Sequence, residues 1–217
     1  MARILITAGP TRQHLDPVRY LTNASSGRMG AALVQAAVAA GHDVIVVSGP
    51  VETAYPEQAT VVPVVSTEEM LAECQRVFPT CDGLIGVAAP CDYRPVKVAA
   101  QKIHKSGEPL VLHLVETPDV VATLAAGKRP EQWLVGFALE TEDERFRALV
   151  KMEKKSCDLM VLNGPQAIAA SDNAVEILDR SGALVAAYQG AKEVVAERLL
   201  ALVEERLIRG YSSFAAS

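Results

Sequence analysis

Short apolar, β-branched runs alternate with alanine- and leucine-rich segments of helical period over most of the chain. Runs of strand length occur at 3–8, 43–48, 60–65, 83–88, 133–138 and 158–162. Helical segments are predicted at 29–40, 66–77, 118–126 and 142–155. The run at 43–48 holds four consecutive apolar residues, which is typical of a strand buried on both faces. The alternation predicts an α/β, Rossmann-like fold with a mainly parallel sheet and helices on both faces.

The end of the chain departs from this alternation and predicts an antiparallel hairpin. Strands are predicted at 174–178 and 184–188, joined by the turn signal Asp179-Arg180-Ser181-Gly182. A final helix is predicted at 191–209, because apolar residues recur there at helical spacing on one core-facing stripe. The stripe consists of Ala196, Leu199, Leu200, Val203 and Leu207. Glycine follows at position 210, so we expect a single domain over 1–210 and a frayed tail over 211–217.

A long irregular segment, 9–28, separates the first predicted strand from the first helix. It ends in Asn23-Ala24-Ser25-Ser26-Gly27-Arg28 and contains neither a GxGxxG nor a Walker A pattern. Small residues and hydroxyls at a helix N-terminus can cradle an anion, because free N–H groups point towards the ligand. The alternative is a plain N-cap by Ser25 or Ser26, and the local pattern leaves both interpretations open.

A second irregular segment, 93–109, follows the end of a predicted strand and is basic. Its cationic and imidazole side chains are Lys97, Lys102, His104 and Lys105. Loops longer than about 12–15 residues inside a compact domain are usually functional or disordered. We therefore expect a basic flap loop that covers the ligand site.

Residues that follow strand ends carry the remaining candidate chemistry, because ligands of open α/β sheets bind beyond the carboxyl ends of the strands. Asp92 suits ribose hydroxyls or a water-bridged metal ion, or else a simple turn. Cys91 is interpreted as a buried thiol rather than a nucleophile, because no histidine lies near it in the sequence. Phe137 suits the core and the stacking of a base equally. Lys151 and Lys155 share one helix face, which fits either a phosphate clamp or a solvated surface.

Composition narrows the class of protein. The chain has 217 residues, of which 50% are hydrophobic and 22% charged, and this indicates a folded domain rather than a disordered chain. A formal charge of −5 and a pI of about 5.4 argue against a nucleic-acid partner. No apolar run approaches the ~20 residues that span a bilayer, and no signal peptide is evident, so we expect no membrane partner. The four cysteines form no CxxC pair and no zinc spacing, which predicts reduced thiols and a cytoplasmic location.

Several segments, taken in order, resemble one known family. They are Leu5-Ile6-Thr7-Ala8-Gly9-Pro10-Thr11, Asp16-Pro17-Val18-Arg19, Asn23, Ser25-Ser26-Gly27-Arg28-Met29-Gly30, Asp92-Tyr93-Arg94-Pro95, Lys102, Thr117-Pro118-Asp119, Gly136-Phe137-Ala138, Glu140-Thr141, Lys151, Lys155 and Asp172-Asn173. The set covers nearly the whole chain and is similar to phosphopantothenoylcysteine synthetase, the second activity of a bifunctional enzyme of coenzyme A biosynthesis. In the basic loop, Lys102-Ile103-His104-Lys105 stands where the family often has Lys-Ile-Lys-Lys.

The resemblance implies a ligase reaction. CTP activates the carboxylate of 4′-phosphopantothenate as an acyl-cytidylate, and L-cysteine then attacks to give the amide, CMP and pyrophosphate. Mg²⁺, held mainly by the nucleotide phosphates, is the implied cofactor. The implied assembly is a homodimer. A eukaryotic-type relative uses ATP, so the choice between CTP and ATP stays open. We expect the flavoprotein domain of the bifunctional enzymes to be absent, and FMN with it.

The resemblance also assigns roles to residues. Asn23 positions the acyl intermediate, Arg19 reaches the substrate from the partner subunit, and Lys102 on the flap loop contacts the nucleotide. The implied CTP site consists of Gly86, Val87, Ala88, Asp92, Lys102, Thr117, Pro118, Asp119, Val120, Phe137, Lys151 and Lys155. A phosphate cradle is implied at Ser25, Ser26 and Gly27, and further substrate contacts at Ala88 and Ala89.

Two other classes compete with this interpretation. An NAD(P)-dependent oxidoreductase would suit a βαβ chain, but the GxGxxG pattern is missing and Ser48-Gly49-Pro50 stands where an acidic ribose ligand is expected. A non-catalytic nucleotide-binding module would keep the anion cradle but would not require Asn23 or Lys102.

Overall fold

The computed structural model describes residues 1–139, 144–163 and 172–209. The strands are β1 (Arg3–Ala8), β2 (Arg12–Asp16), β3 (Arg19–Thr22), β4 (Asp43–Ser48), β5 (Thr60–Pro63), β6 (Gly83–Gly86), β7 (Tyr93–Pro95), β8 (Leu114–Glu116), β9 (Trp133–Leu139), β10 (Leu159–Asn163), β11 (Asp172–Asp179) and β12 (Leu184–Ala191). The α-helices are α1 (Arg28–Ala39), α2 (Thr67–Val77), α3 (Val120–Ala126), α4 (Glu144–Lys155) and α5 (Lys192–Val203), and a π-helical segment, Glu204–Arg209, continues α5.

Eight strands form one sheet in the order β12-β11-β10-β9-β6-β1-β4-β5. The pairs from β10 through β5 are all parallel, whereas β11 is antiparallel to both β10 and β12. The predicted α/β class and the C-terminal hairpin are therefore confirmed. The chain runs from β1 outward through β4 to β5, and then returns to β6 on the other side of β1. This reversal opens a crevice at the carboxyl ends of the central strands, where open α/β sheets bind their ligands.

Alternate residues of β1 are buried in different layers, one on each face of the sheet. Ile4 and Ile6 belong to the apolar cluster that contains α1 and α5, whereas Leu5 belongs to the cluster that contains α2, α3 and α4. All three side chains are fully buried. Helices thus cover both faces, as the apolar runs predicted. The predicted stripe on the last helix is also confirmed, because all five of its side chains are buried in the first of these clusters.

Local capping residues set the starts of α2 and α3. A capping box forms at α2, where Ser66 Oγ accepts from Glu69 N at 3.1 Å. The prediction that α3 begins at Pro118 was wrong by two residues. Asp119 is the N-cap instead, and its Oδ1 accepts from Ala122 N at 3.1 Å, so the helix begins at Val120.

Two short hairpins were missed by the sequence patterns. β2 and β3 pair antiparallel inside the segment that was expected to be a loop at 9–28. β7 and β8 pair antiparallel at the base of the expected flap loop, so the irregular segment runs over 96–113 rather than 93–109. These strands are short and mostly polar or exposed, so they lack the apolar runs that mark the central strands.

Some expectations concern residues outside the described ranges. They are the predicted start of the helix at 142, Glu140-Thr141, the end at Gly210 and the tail 211–217. Within the described ranges, no helix has the length and apolar character that crossing a bilayer requires.

Candidate functional site

Two adjoining cavities lie at the carboxyl ends of β1, β6, β9 and β10. The first has a volume of about 450 Å³, and the predicted residues among its lining are Gly86, Ala88, Asp92, Thr117, Pro118, Asp119, Val120, Phe137, Lys151 and Lys155. The second has a volume of about 470 Å³, and the predicted residues among its lining are Asn23, Ser25, Ser26, Gly27, Val87, Ala88, Ala89, Asp92, Phe137, Lys151 and Lys155. The fold therefore brings predicted residues together from five separate segments, 23–27, 86–92, 117–120, 137 and 151–155.

Residues 25–27, predicted to form a phosphate cradle, immediately precede α1 and line the second cavity. Gly27 is the N-cap of α1, with a left-handed φ of 73°, and no side chain caps this helix. The alternative of a serine N-cap was therefore wrong. Ser25 Oγ accepts from Gly27 N at 3.4 Å, within the turn. Because the first N–H groups of a helix have no partner within the helix, this uncapped end of α1 is suited to bind an anion.

Replacement of Gly27 by alanine is expected to destabilise the fold. A left-handed conformation costs a non-glycine residue about 1–2 kcal/mol. A Cβ at Gly27 would also lie 2.4 Å from Val51 Cγ1, which forces a shift. Gly41→Ala is the matched control, because its φ is also positive (80°) while nothing lies within 4 Å of its Cβ position. Urea denaturation should show a larger loss of free energy for Gly27→Ala than for Gly41→Ala. Equal losses would contradict the predicted close contact.

Asn23 connects the cradle to the loop that follows β6. Its Nδ2 donates to Pro90 O at 2.8 Å and to Ala89 O at 3.4 Å. Ala89 N donates to Gly9 O at 2.9 Å, which joins the same loop to the end of β1. Asn23 is therefore a bridge between two segments that both line the second cavity.

The backbone of Cys91 is held by three threonine hydroxyls. Thr11 Oγ1 accepts from Cys91 N at 2.7 Å, and Thr67 and Thr117 donate to Cys91 O at 3.1 Å and 2.6 Å. The Cys91 side chain is buried, which confirms the interpretation as a small buried thiol. Thr117 thus fixes the loop that carries Asp92, in addition to lining the first cavity.

The wall shared by the two cavities is basic and partly aromatic. Lys151 and Lys155 lie one turn apart on α4 and line both cavities. Lys155 Nζ lies 3.4 Å from Asp119 Oδ2, which couples the lysine to the N-cap of α3. Phe137 is half-buried, packs against the core and lines both cavities, so its core contact is confirmed and the stacking of a base on it stays a prediction. The arrangement places positive charge beside an aromatic ring at the cavity wall, which suits an anionic ligand.

The flap segment (96–113) is fastened beside Lys102 by the β2–β3 hairpin. Asp16 Oδ2 accepts from Ile103 N at 3.1 Å, and Arg19 Nη1 donates to Ile103 O at 3.1 Å. Arg19 Nη1 also donates to Asp16 Oδ2 in a short contact. Ala99 N donates to Leu15 O at 2.9 Å. Lys102 and Arg19, both described residues, line neither of the two cavities, so the structure does not bring these two predicted residues to the cavity walls.

The electrostatics of this fastening keep Asp16 ionised. Its side chain is fully shielded from solvent, and burial acts to raise the pKa of the carboxyl group. Hydrogen bonds from Ile103 N, Val18 N and the Arg19 guanidinium outweigh burial and lower the pKa to about 2. The carboxylate therefore holds the flap segment throughout the neutral range.

Sequence reasoning missed several polar residues of the site. Tyr93, Glu116 and Lys154 line the first cavity, and Arg28, Asn163, Asn173 and Lys192 line the second. Asn163 could have been selected, because it ends a strand at the ligand edge. Lys192 gave no such signal, because it begins a helix that was assigned only to the core.

Metal-binding and thiol chemistry have little support from side-chain clusters. Of the residues that the structure describes, no three or more His, Cys, Asp or Glu side chains are grouped to hold a metal ion. The four cysteines are free and buried. Burial raises the pKa of the Cys74 and Cys157 thiols to about 12, so these two groups stay protonated and unreactive.

Comparisons with known proteins agree with this geometry. The family model described as the C-terminal domain of DNA/pantothenate metabolism flavoprotein matches residues 1–207. The coenzyme A biosynthesis bifunctional protein CoaBC of Vibrio cholerae serotype O1 is 39% identical over 211 residues, which cover 94% of this chain and 53% of that protein. CoaBC of Escherichia coli K12 is 39% identical over 204 residues, which cover 91% of this chain and 50% of that protein.

A solved structure extends the match to three dimensions. The crystal structure of the C-terminal domain of CoaBC superposes with a TM-score of 0.80 and is 34% identical, covering 95% of this chain and 98% of that one. The chain thus spans about half the length of the curated relatives it matches, and nearly all of this solved domain. The chain belongs to the family of the C-terminal domain of DNA/pantothenate metabolism flavoproteins.

Proposed function

We propose that this domain is a phosphopantothenate–cysteine ligase of coenzyme A biosynthesis that uses CTP. The observation that carries the proposal is the pair of adjoining cavities with a common wall of Phe137, Lys151 and Lys155. One cavity has the size and the small-residue lining for a nucleoside, and the other has the anion cradle and Asn23. Membership of the family supports the assignment, because its bifunctional relatives are proteins of coenzyme A biosynthesis.

The proposed reaction has two balanced steps. In the first, a carboxylate oxygen of 4′-phosphopantothenate attacks the α-phosphorus of CTP, and the bond between the α-phosphorus and the bridging oxygen breaks to release pyrophosphate. In the second, the amine of L-cysteine attacks the acyl carbon, the bond to CMP breaks, and the amine proton passes to solvent. Lys151 and Lys155 offset the charge that gathers when a carboxylate approaches a triphosphate. Asn23 holds the loop against which the acyl group is oriented. No covalent protein nucleophile is required.

Mg²⁺ enters the proposal as an ion carried by the CTP phosphates. Asp92 lines both cavities and supplies the carboxylate oxygen that suits this hard cation. When bound, the ion would neutralise charge on the phosphates. The described side chains fit an ion that comes with the nucleotide better than a resident metal site.

The structure does not support the alternative of an NAD(P)-dependent oxidoreductase. β4 ends at Ser48, whose Oγ donates to Gly49 O at 2.8 Å and contacts Tyr55 Oη at 2.7 Å. Ser48 stands where a dinucleotide-binding fold has the acidic residue that binds the ribose. Its hydroxyl is already engaged in these two contacts.

The direct test is a product assay with the purified protein. We expect one pyrophosphate and one CMP for each amide formed from CTP, 4′-phosphopantothenate and L-cysteine, with ATP as the comparison nucleotide. Omitting cysteine should still allow nucleotide-dependent activation of the carboxylate. A thermal shift with CTP and Mg²⁺ but not with NADPH or FMN would agree. No amide formation with either nucleotide would overturn the proposal.

We further propose a homodimer that works in the cytoplasm. The flap segment and its hairpin expose several large apolar side chains, namely Val96, Val98, Leu110, Val111, Leu112, Leu114 and Val115. Several exposed large apolar side chains on one segment and its hairpin are typical of an interface between proteins. The four free cysteines suit a reducing compartment.

Shared active sites are tested by mixing two inactive variants. Arg19→Ala and Asn23→Ala chains should each be inactive alone. If Arg19 acts across the dimer, an equal mixture should restore activity at about a quarter of the sites, because half of the dimers are mixed and each mixed dimer has one complete site. Activity no higher than that of the separate variants would place Arg19 in the site of its own chain, where it contacts Ile103 O.

A further inference from the structure

Three polar side chains from the C-terminal elements line one wall of the second cavity. They are Asn163 at the end of β10, Asn173 on β11 and Lys192 at the start of α5. Lys192 is 7% exposed and Asn173 is 3% exposed. Lys192 Nζ donates to Asn173 Oδ1 at 3.4 Å. We refer to these three residues as the C-terminal polar wall.

The position of Lys192 in a cavity is informative. A lysine ammonium group is rarely buried, because removing it from water costs free energy unless charge or hydrogen bonds compensate. Here it borders an open cavity that also contains the uncapped start of α1. Arg28, Lys151 and Lys155 line the same cavity, so its potential favours an anion although the chain carries a net charge of −5.

Asn163 adds a second observation. Its Oδ1 is buried and has no hydrogen-bond partner among the described residues. Buried polar atoms of native proteins are almost always paired with protein or with ordered water. A water molecule that hydrates a bound anion such as phosphate would donate the missing hydrogen bond to Asn163 Oδ1. The C-terminal polar wall therefore has the character of a ligand surface rather than of a core.

We infer that Lys192, with Asn163 and Asn173, forms a subsite for the terminal phosphates of the nucleotide and for the pyrophosphate that leaves. This inference rests on the proposed function. The nucleoside occupies the first cavity, and the shared wall of Lys151 and Lys155 meets the α-phosphate. The β- and γ-phosphates then extend into the second cavity, between the α1 cradle and Lys192. Lys192 stabilises the charge that pyrophosphate gains as its bond to the α-phosphorus breaks.

The test compares ligands that differ only in their terminal phosphates. CTP, CMP and inorganic pyrophosphate are titrated into the wild-type protein and into Lys192→Met by calorimetry. Loss of one charge-assisted contact should lower the affinity for CTP and for pyrophosphate by about 10- to 100-fold. CMP, which lacks the terminal phosphates, should bind unchanged. Arg206→Met is the matched control, because it removes an exposed cation from the segment that continues α5.

The possible outcomes separate this inference from the proposed function. If Lys192→Met lowers the affinity for CMP as much as that for CTP, or leaves pyrophosphate binding unaltered, the inferred subsite is overturned even when the wild-type protein is an active ligase. If the wild-type protein forms no amide but binds pyrophosphate through Lys192, the proposed function fails and the subsite stands. Should Lys192→Met not fold, a crystal structure of the wild-type protein with pyrophosphate decides. An anion within hydrogen-bond distance of Lys192 Nζ supports the subsite, and an anion elsewhere overturns it.

Discussion

Replacement of Asn23 by aspartate is expected to lower kcat of the ligase reaction by about 100-fold while the protein stays folded. The Asn23 amide donates to Pro90 O and Ala89 O. An ionised carboxylate has no proton to donate, so it would repel both carbonyl oxygens. The loop that carries Ala88 and Asp92 would then move relative to the α1 cradle. A misplacement of about 1 Å at a reacting centre can cost about 100-fold in rate.

The measurement that isolates this effect is steady-state turnover together with thermal unfolding. Gln75→Glu is the matched control, because it makes the same amide-to-acid change at an exposed position on α2, away from both cavities. We expect the control to keep the kcat of the wild-type protein. A kcat of Asn23→Asp equal to that of the wild-type protein would remove Asn23 from its proposed role.

Replacement of Asp16 by asparagine is expected to release the flap segment and to lower turnover by up to about 100-fold. Asp16 Oδ2 accepts from both Ile103 N and the Arg19 guanidinium. An amide that places an NH₂ group there would face two donors, and the alternative orientation loses the two contacts from Val18 N and Arg19 N. Lys102 directly precedes Ile103 in the chain, so the approach of Lys102 to the nucleotide that the resemblance implies would depend on this contact.

The control and the readout distinguish positioning from general stability. Asp43→Asn removes one partner of the exposed ion pair with Arg3 and should leave turnover unchanged, because exposed pairs contribute little. Asp16→Asn should also increase proteolytic cleavage within 96–113. Normal turnover in Asp16→Asn, with a protected flap segment, would contradict the predicted role.

The pH dependence of stability follows from the lowered pKa of Asp16. Its folded pKa of about 2 lies below the ordinary value of 3.8. The carboxylate therefore contributes stability that is fully present above the unfolded pKa and is lost as the pH falls through the folded pKa. The difference in unfolding free energy between the wild-type protein and Asp16→Asn should be constant above about pH 5 and should shrink below about pH 4.

Much of the site could be predicted because strand ends and motifs are local in the sequence. The small residues of the cradle, Asp92 and the lysine pair on α4 all carry recognisable spacing, and the structure places them around two joined cavities. The roles of Asn23 and Arg19 came only from the resemblance. The net charge of −5 gave no sign of a positively charged site. The fold nevertheless gathers basic side chains around the second cavity.

By itself, the sequence determined the layered α/β architecture. Each central strand is a nearly continuous apolar run, and such a run predicts burial on both faces of a sheet. Only the tertiary structure decided which distant segments meet. Asp16 and Ile103 are 87 positions apart, Asn23 and Pro90 are 67 apart, and Lys192 reaches the cavity from the last helix. Such contacts leave no local periodicity, because they depend on sheet order and on short hairpins rather than on the apolar pattern of any one segment.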